Sequence, residues 1–336
     1  MPFSTLIGND RIKKLLQRAV SDARIGQSLL MAGPRGVGKY QFAVALAQAL
    51  NCEQPVSGDA CGDCLPCRKI SRNEHADVRT ILRESQDPAV KKEPRSQFIK
   101  IDQTRLMSEQ AQFRPYEGRR RVFILDDAEW LRREAANSLL KTLEEPPETS
   151  LIILITPKPF ALIDTIRSRC LMLSFAPLTV VEIEEHLLGL KKSPEEARLR
   201  ARLSGGTIGR AIEIDLADYY EMRNILLDLL ESIAFSRGSA TLMSSAEYLG
   251  RKIEKDEFER YLEALTVLLG DLLRLKLRND AGSLTNEDVI DRLERIADAL
   301  SESSIIRLAD GIEDIFRDLP RNINRQLAME AILIPA

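Results

Sequence analysis

The first half of the chain alternates between short apolar runs and longer segments in which apolar residues recur at helical spacing. The runs lie at 28–32, 77–82, 121–126, 151–156 and 171–175, and the second of them is a predicted strand in which polar residues mix with apolar ones. Short runs with little polar alternation are typical of strands that are buried on both faces. Because helical segments separate the runs, the pattern predicts an α/β domain with a parallel sheet covered by helices on both faces.

The pattern changes near residue 176, and the sequence beyond that point predicts helices only. Segments 179–190, 194–203 and 207–214 are predicted to form a small three-helix unit. From residue 216 onwards, apolar residues repeat at intervals of three and four, as in helices that bury one face. Two such stripes are Leu262, Leu265, Leu269 and Leu272, and Ile305, Leu308, Ile312, Ile315 and Leu319.

A glycine-rich stretch follows the first predicted strand and precedes a predicted helix. Gly33, Gly38 and Lys39 match the phosphate-loop pattern, in which backbone N–H groups wrap phosphates and the lysine adds a charge near the β- and γ-positions. The pattern requires Ser or Thr next, since that hydroxyl holds Mg²⁺. This chain has Tyr40 instead, and a phenol on a rigid ring cannot occupy the place of a short hydroxyl. The sequence predicts a nucleotide site that has lost its metal ligand.

Two acids, Asp126 and Asp127, close the third apolar run. In P-loop ATPases the first such acid supports Mg²⁺, and the second, normally Glu, orients the attacking water. Asp127 is one methylene shorter than Glu, which reduces its reach towards a water. We interpret the pair as the acids of the nucleotide site, although strand ends also carry acids by chance.

Four of the five cysteines lie within sixteen residues: Cys52, Cys61, Cys64 and Cys67. Four thiolates at this spacing suit tetrahedral Zn²⁺, and four protein ligands make the site structural rather than catalytic. An iron–sulfur cluster or unliganded thiols are the alternatives. The nearby His75 is interpreted as an ordinary surface histidine, because four cysteines already complete the ligand shell.

Arg169 lies in the triplet Ser168-Arg169-Cys170, just before the fifth predicted strand. It fits either a local salt bridge or an arginine finger that reaches the nucleotide of a neighbouring subunit. The spacing does not distinguish the two interpretations.

The bulk properties limit the possible partners. A length of 336 residues favours two or three domains. The net charge of −3 gives no general attraction to nucleic acid or to an anionic membrane. Apolar runs stay well short of the ~18 residues of a membrane span, and residues 1–14 lack the layout of a secretion signal. We therefore expect a cytoplasmic protein without membrane contact.

Several motifs together resemble a known family. They are GPRGVGK, the four cysteines, ILDDAEWL, NSLLKTLEEPP, IRSRC and SGGTIGRAI, in this order along the chain. This set resembles the AAA+ subunits of the bacterial DNA polymerase III clamp loader over essentially the whole chain. The stretch 137–147 and the Ser-Arg-Cys triplet are highly specific to that group.

The family contains a motor type, gamma/tau, that hydrolyses ATP, and a stator type that does not. Three positions favour the stator type. Tyr40 replaces the metal-binding Thr, Asp127 replaces the catalytic Glu, and Gly209 stands where motors carry an arginine that touches phosphate. The chain retains Gly33, Gly38 and Lys39, which is compatible with weak nucleotide binding without turnover.

The resemblance implies three domains: an AAA+ RecA-like P-loop domain at 1–176 with a zinc insertion at about 52–67, a helical lid at 177–215 and a helical collar at 216–336 that joins subunits into a ring. It implies that Arg169 acts in trans on ATP in a neighbouring motor subunit. The implied nucleotide-site residues are Ile7, Gly8, Gly33, Gly36, Gly38, Lys39, Tyr40, Asp126 and Thr156, with Ile7 and Gly8 covering the adenine.

The expected function is that of a stator in the loading of the sliding clamp onto primed DNA. The expected partners are gamma/tau motor subunits and the delta subunit, with the clamp and DNA contacted through the assembly. Bound ATP or ADP is possible but impaired, and ATPase activity of the chain alone is not expected. The alternatives are an active ATPase of the gamma/tau type and an unrelated zinc-bearing DNA-binding P-loop protein.

Overall fold

A computed structural model describes residues 1–83, 98–235, 239–277, 284–321 and 323–333. The chain divides into two compact units. Unit 1 comprises Met1–Ala197 and Ser204–Ile212, and unit 2 comprises Arg198–Leu203 and Glu213–Ala336.

Unit 1 contains a five-stranded, fully parallel sheet. Its strands are β1 (Ser28–Ala32), β2 (Val78–Ile81), β3 (Arg121–Leu125), β4 (Ser150–Thr156) and β5 (Leu171–Ser174). They lie in the order β2-β3-β4-β1-β5. All residues of β1 and β4 are buried, which explains their continuous apolar sequences. The predicted α/β fold with a parallel sheet is confirmed.

Helices connect and cover these strands. Those that begin in unit 1 are α1 (Asp10–Ser21), α2 (Lys39–Asn51), α3 (Leu65–Ser71), α4 (Ile101–Ala111), α5 (Arg133–Glu144), α6 (Asp164–Arg167), α7 (Val180–Gly189), α8 (Pro194–Leu203) and α9 (Ile208–Glu213). Helix α2 is buried on most of its surface, because its sequence is apolar nearly all the way round. This helix extends from the phosphate loop to the first cysteine.

A buried carboxylate fixes the start of β3, the strand that ends at the predicted acids. Asp77 is fully buried and accepts backbone N–H bonds from Tyr116, Glu117 and Gly118 at 2.7–2.8 Å. It also pairs with Arg121 at 3.0 Å. Burial opposes ionisation of Asp77, but these hydrogen bonds lower its pKa overall, so the anion is the stable form.

Unit 2 is built from helices. They are α10 (Leu216–Ala234), α11 (Ser239–Glu247), α12 (Lys255–Lys276), α13 (Ile290–Ala299), α14 (Glu302–Asp318) and α15 (Arg325–Leu333), with a π-helical turn at Tyr248–Lys252. The predicted leucine and isoleucine stripes lie in α12 and α14 and are buried in one core. Among the helices of the described residues, none has the length and apolar character that a membrane span requires.

Candidate nucleotide-binding site and metal centre

The phosphate loop, residues 33–38, joins β1 to α2 and depends on its glycines. Gly33, Gly36 and Gly38 have φ angles of 153°, 75° and 98°, which favour glycine. A Cβ on Gly33 would lie 2.5 Å from the carbonyl oxygen of Phe175, so a side chain there would clash with backbone. The sequence pattern and the backbone shape of the loop therefore agree.

Lys39 turns its ammonium group back onto this loop. Its Nζ donates hydrogen bonds to the carbonyl oxygens of Gly33 and Pro34, at 2.7 and 2.6 Å, and the residue is buried. Burial lowers the pKa of Lys39, and the nearby carboxylates of Asp126 and Glu129 oppose that shift. The cation thus lies within electrostatic range of both acids while it is bound to the loop.

The side chain of Tyr40 extends towards β2. Its hydroxyl lies 3.1 Å from Oγ1 of Thr80 in that strand. This placement agrees with the expectation that a phenol cannot replace the metal-binding hydroxyl of a phosphate loop.

The two predicted acids differ in their surroundings. Asp126 accepts a hydrogen bond from the backbone N–H of Asp127 at 3.0 Å, and burial raises the pKa of Asp126. Asp127 has a left-handed backbone with φ 56°. Its carboxylate pairs with Arg35 of the phosphate loop at 3.1 Å and with Arg83 at 3.2 Å. Asp127 is therefore engaged by two arginines.

A third carboxylate, Glu129, was missed by the sequence analysis. It lies in a single 3-10 turn, Ala128–Trp130, and its side chain is 6% exposed. Oε2 accepts a hydrogen bond from the hydroxyl of Thr156 at 2.9 Å, and Oε1 pairs with Arg35 at 3.0 Å. The structure thus joins predicted Thr156 to a residue that the strand-end pattern did not single out.

Helix α9 lies directly against the phosphate loop. The backbone N–H of Gly209 donates to the carbonyl oxygen of Gly36 at 3.0 Å. A Cβ on Gly209 would lie 3.2 Å from Gly36 Cα, which is tighter than ordinary packing. A backbone contact at Gly209 therefore holds α9 against the loop.

The segment just before α1 packs against the residues before α7. Gly8 has φ 59°, and a Cβ there would lie 2.0 Å from a methyl group of Leu178. Ile7 beside it is half-buried. Their predicted role over the adenine stays a prediction.

The four clustered cysteines come together in space. Their sulfur atoms all lie within 4.8 Å of one another. The sulfur atoms of Cys52 and Cys64 are 3.9 Å apart, close to the edge of about 3.8 Å that Zn–S bonds of ~2.3 Å give a tetrahedron. This geometry and the donor set fit a metal ion.

Backbone donors surround the cluster. The N–H of Cys61 lies 3.3 Å from the sulfur of Cys52, and the N–H of Cys64 lies 3.4 Å from the sulfur of Cys61. Hydrogen bonds from the backbone of Cys64 and Asp63 lower the pKa of Cys61 to about 7. Burial raises the pKa of Cys67, which is the innermost of the four together with Cys52. A cation would stabilise the thiolate forms that burial disfavours.

The interpretation of His75 as a surface residue was wrong. Its side chain is 1% exposed, and its Nδ1 accepts the backbone N–H of Asp77 at 3.1 Å. Burial lowers the pKa of His75. His75 therefore supports the buried carboxylate at the start of β3.

Arg169 lies between the end of α6 and the start of β5. Its guanidinium forms an ion pair with Glu144, at the end of α5, and Nη1 donates to the carbonyl of Thr165 at 2.9 Å. The side chain stays 31% exposed. The local salt bridge is therefore present, and the finger role stays a prediction.

The phosphate loop, the strand-end acids and the parallel sheet define a P-loop protein of the AAA+ class. The family model described as "DNA polymerase III, delta subunit" matches residues 8–179. The model described as "DNA polymerase III, delta subunit, C terminal" matches residues 219–335. The chain belongs to this family of DNA polymerase III subunits.

Individual relatives agree with this assignment. The chain is 28% identical to DNA polymerase III subunit delta' of Bacillus subtilis over 325 residues, which is 96% of this chain and 94% of the relative. It is 30% identical to subunit tau of Escherichia coli over 345 residues, 99% of this chain and 50% of the relative. It thus spans nearly all of the delta' relative and about half of the tau relative. Among solved structures, the gamma subunit-related protein of Thermotoga maritima is 18% identical to this chain, and the match covers 95% of this chain and 96% of the Thermotoga chain. Its TM-score of 0.39 is too low to carry an argument.

Proposed function

We propose that this chain is the delta'-type stator of a DNA polymerase III clamp loader. It supports ATP-dependent loading of the sliding clamp onto primed DNA without hydrolysing ATP itself. The observation that carries the proposal is that the catalytic positions of its nucleotide site are engaged elsewhere. Tyr40 contacts β2, Asp127 is bound by two arginines, and Gly209 contacts the loop through its backbone.

Each of these three differences removes a different requirement of hydrolysis. A P-loop motor needs a hydroxyl for Mg²⁺, a carboxylate that orients water and a cation on the phosphates. Gly33, Gly36, Gly38 and Lys39 retain the means to hold phosphate. We therefore propose impaired binding of ATP or ADP, with Asp126 and Thr156 beside the phosphates and Ile7 and Gly8 near the base.

The contribution of this chain to catalysis is proposed to occur in trans. Arg169 would place its guanidinium at the ATP of a neighbouring motor subunit, where charge develops during phosphoryl transfer. Its partial exposure supports this role, and its ion pair with Glu144 would hold the side chain until a neighbour docks.

The cysteine cluster is proposed to hold a structural Zn²⁺ through Cys52, Cys61, Cys64 and Cys67. When bound, the ion would supply the cross-link of a closed tetrahedral site. The cysteines connect the end of α2 to α3, so the ion would cross-link the two ends of this insertion.

The proposed assembly has gamma/tau motor subunits and a delta subunit as its other members, in the cytoplasm. Its ring would form through the collar at 216–336, while residues 1–176 provide the AAA+ domain and residues 177–215 the lid. Clamp and primed DNA would be contacted through the assembly.

Two other functions are separable from this one. An active motor of the gamma/tau type is favoured by the retained Lys39 and by the identity to tau. A zinc-bearing DNA-binding protein outside clamp loading would bind DNA as an isolated chain, with affinity that falls steeply with salt.

Clamp loading onto primed DNA tests the proposal. In a mixture of clamp, motor subunits and delta subunit, we expect loading to require this chain. Lys39→Ala should restore loading as well as the wild type does, because ATP is hydrolysed in the motor subunits and not in the phosphate loop of this chain. Loading that proceeds without the chain would contradict the stator role, and failure of Lys39→Ala alone would favour the motor alternative.

A further inference from the structure

The carboxylate of Glu129 occupies the nucleotide site like a bound anion. It accepts the Thr156 hydroxyl and pairs with Arg35 of the phosphate loop, at 2.9 and 3.0 Å. Its side chain is 6% exposed, so these contacts replace most of its hydration. A phosphate oxygen would use the same donors, since arginine and hydroxyl groups bind carboxylate and phosphate alike.

Its position matches the far end of a triphosphate. Thr156 ends β4, and its carbonyl accepts the N–H of Gly33 at 3.3 Å, so the threonine adjoins the start of the loop. Lys39, which reaches the β- and γ-phosphates in this motif, lies within electrostatic range of Glu129. A group that is near both Lys39 and the ends of β3 and β4 lies where a terminal phosphate would sit.

We infer that Glu129 takes the place of the terminal phosphate and makes this site select a nucleoside diphosphate over a triphosphate. A γ-phosphate would meet a largely buried carboxylate, and like charges at close range repel strongly away from water. Tyr40 adds to this selection because no loop hydroxyl holds the Mg²⁺ that would neutralise the triphosphate.

The other internal contacts of the loop lower affinity without selecting between the two ligands. Lys39 binds the carbonyls of Gly33 and Pro34, and Gly209 binds that of Gly36. The acceptors of these hydrogen bonds are neutral carbonyls, so breaking the bonds would weaken the binding of diphosphate and triphosphate alike. Glu129 therefore makes the main contribution to the choice between diphosphate and triphosphate, and Tyr40 adds to it.

Calorimetric titration of the isolated full-length chain with ADP and with ATP, each with Mg²⁺, tests the inference. The wild type should bind ADP about tenfold or more tightly than ATP. Glu129→Gln, which keeps the shape and removes the charge, should bring this ratio close to one by strengthening ATP binding. Glu134→Gln, which removes an exposed charge at the start of α5, should leave the ratio unchanged.

Equal wild-type affinities, an unchanged ratio in Glu129→Gln or no binding by any of the three proteins would overturn the inference. A melting curve establishes that the variants fold. If Glu129→Gln does not fold, Arg35→Ala decides instead, because Arg35 is largely exposed and its loss leaves the carboxylate less neutralised. The ratio should then shift further towards ADP, and a shift towards ATP would overturn the inference. The inference rests on the nucleotide binding proposed above. Because no partner subunit enters this titration, its failure is distinguishable from failure of the stator role, which clamp loading tests.

Discussion

Replacement of Arg169 by alanine is expected to slow the DNA- and clamp-stimulated ATP turnover of the motor subunits about tenfold to a hundredfold. An arginine finger is worth ~10³–10⁵ in GTPases, and a ring with several active sites should lose less. The chain itself should fold normally, since the side chain is partly exposed and its ion pair with Glu144 lies at the surface, where such pairs contribute little. The effect should appear in turnover and leave assembly intact.

Arg167 provides the matched control for this experiment. It is two residues away and carries the same charge, but its guanidinium pairs with Asp164 and stacks 4.9 Å from the ring centroid of Phe160. Arg167→Ala should therefore leave the turnover of the assembled complex close to the wild-type value. Equal losses in the two variants, or full turnover with Arg169→Ala, would rule out a finger at Arg169.

Replacement of Cys67 by serine is expected to release the metal and to destabilise unit 1 by more than about 4 kcal/mol, the range in which loss of a metal site falls. Cys67 is fully buried, and its loss leaves three sulfur ligands around a cation that needs four. Metal analysis of the wild type should give about one zinc per chain, and thermal melting should compare the two proteins.

Cys170→Ser is the control for the cysteine experiment. Cys170 lies outside the cluster, so this variant should keep its metal content. Wild-type protein with four reactive thiols in the cluster and no metal would refute the zinc site. Iron, together with visible absorption, would instead identify the iron–sulfur alternative.

The sheet could be predicted because its strands are recognisable from their local sequence. Strands β1 and β4 are buried on both faces, so their sequences are apolar without interruption, and the turns and helices between them are polar or periodic. The order β2-β3-β4-β1-β5 does not follow from such runs. It depends on contacts between segments that are far apart in the chain.

The same distinction separates the residues of the site. The phosphate loop and the cysteine cluster are encoded at short spacing, where the residue types themselves limit the chemistry to a few possibilities. Glu129 lies three residues beyond a predicted acid, but its meaning comes from Thr156 and Arg35, which are distant in sequence. A third acid just after the strand was the one available sign.

Burial of a polar side chain was equally hidden from the sequence. His75 was assigned to the surface because four cysteines already complete the metal shell, yet it is buried and accepts the backbone N–H of Asp77. The burial depends on a distant segment, residues 116–118, whose backbone Asp77 binds.

ATP turnover by the isolated chain with Mg²⁺ tests the central claim, that this subunit supports the motor without being one. The wild type and Lys39→Ala should show the same background rate, because Tyr40, Asp127 and Gly209 leave no complete site to disable. If the wild type turns over ATP and Lys39→Ala abolishes that turnover, the site hydrolyses ATP despite Tyr40, and the protein is a motor of the gamma/tau type.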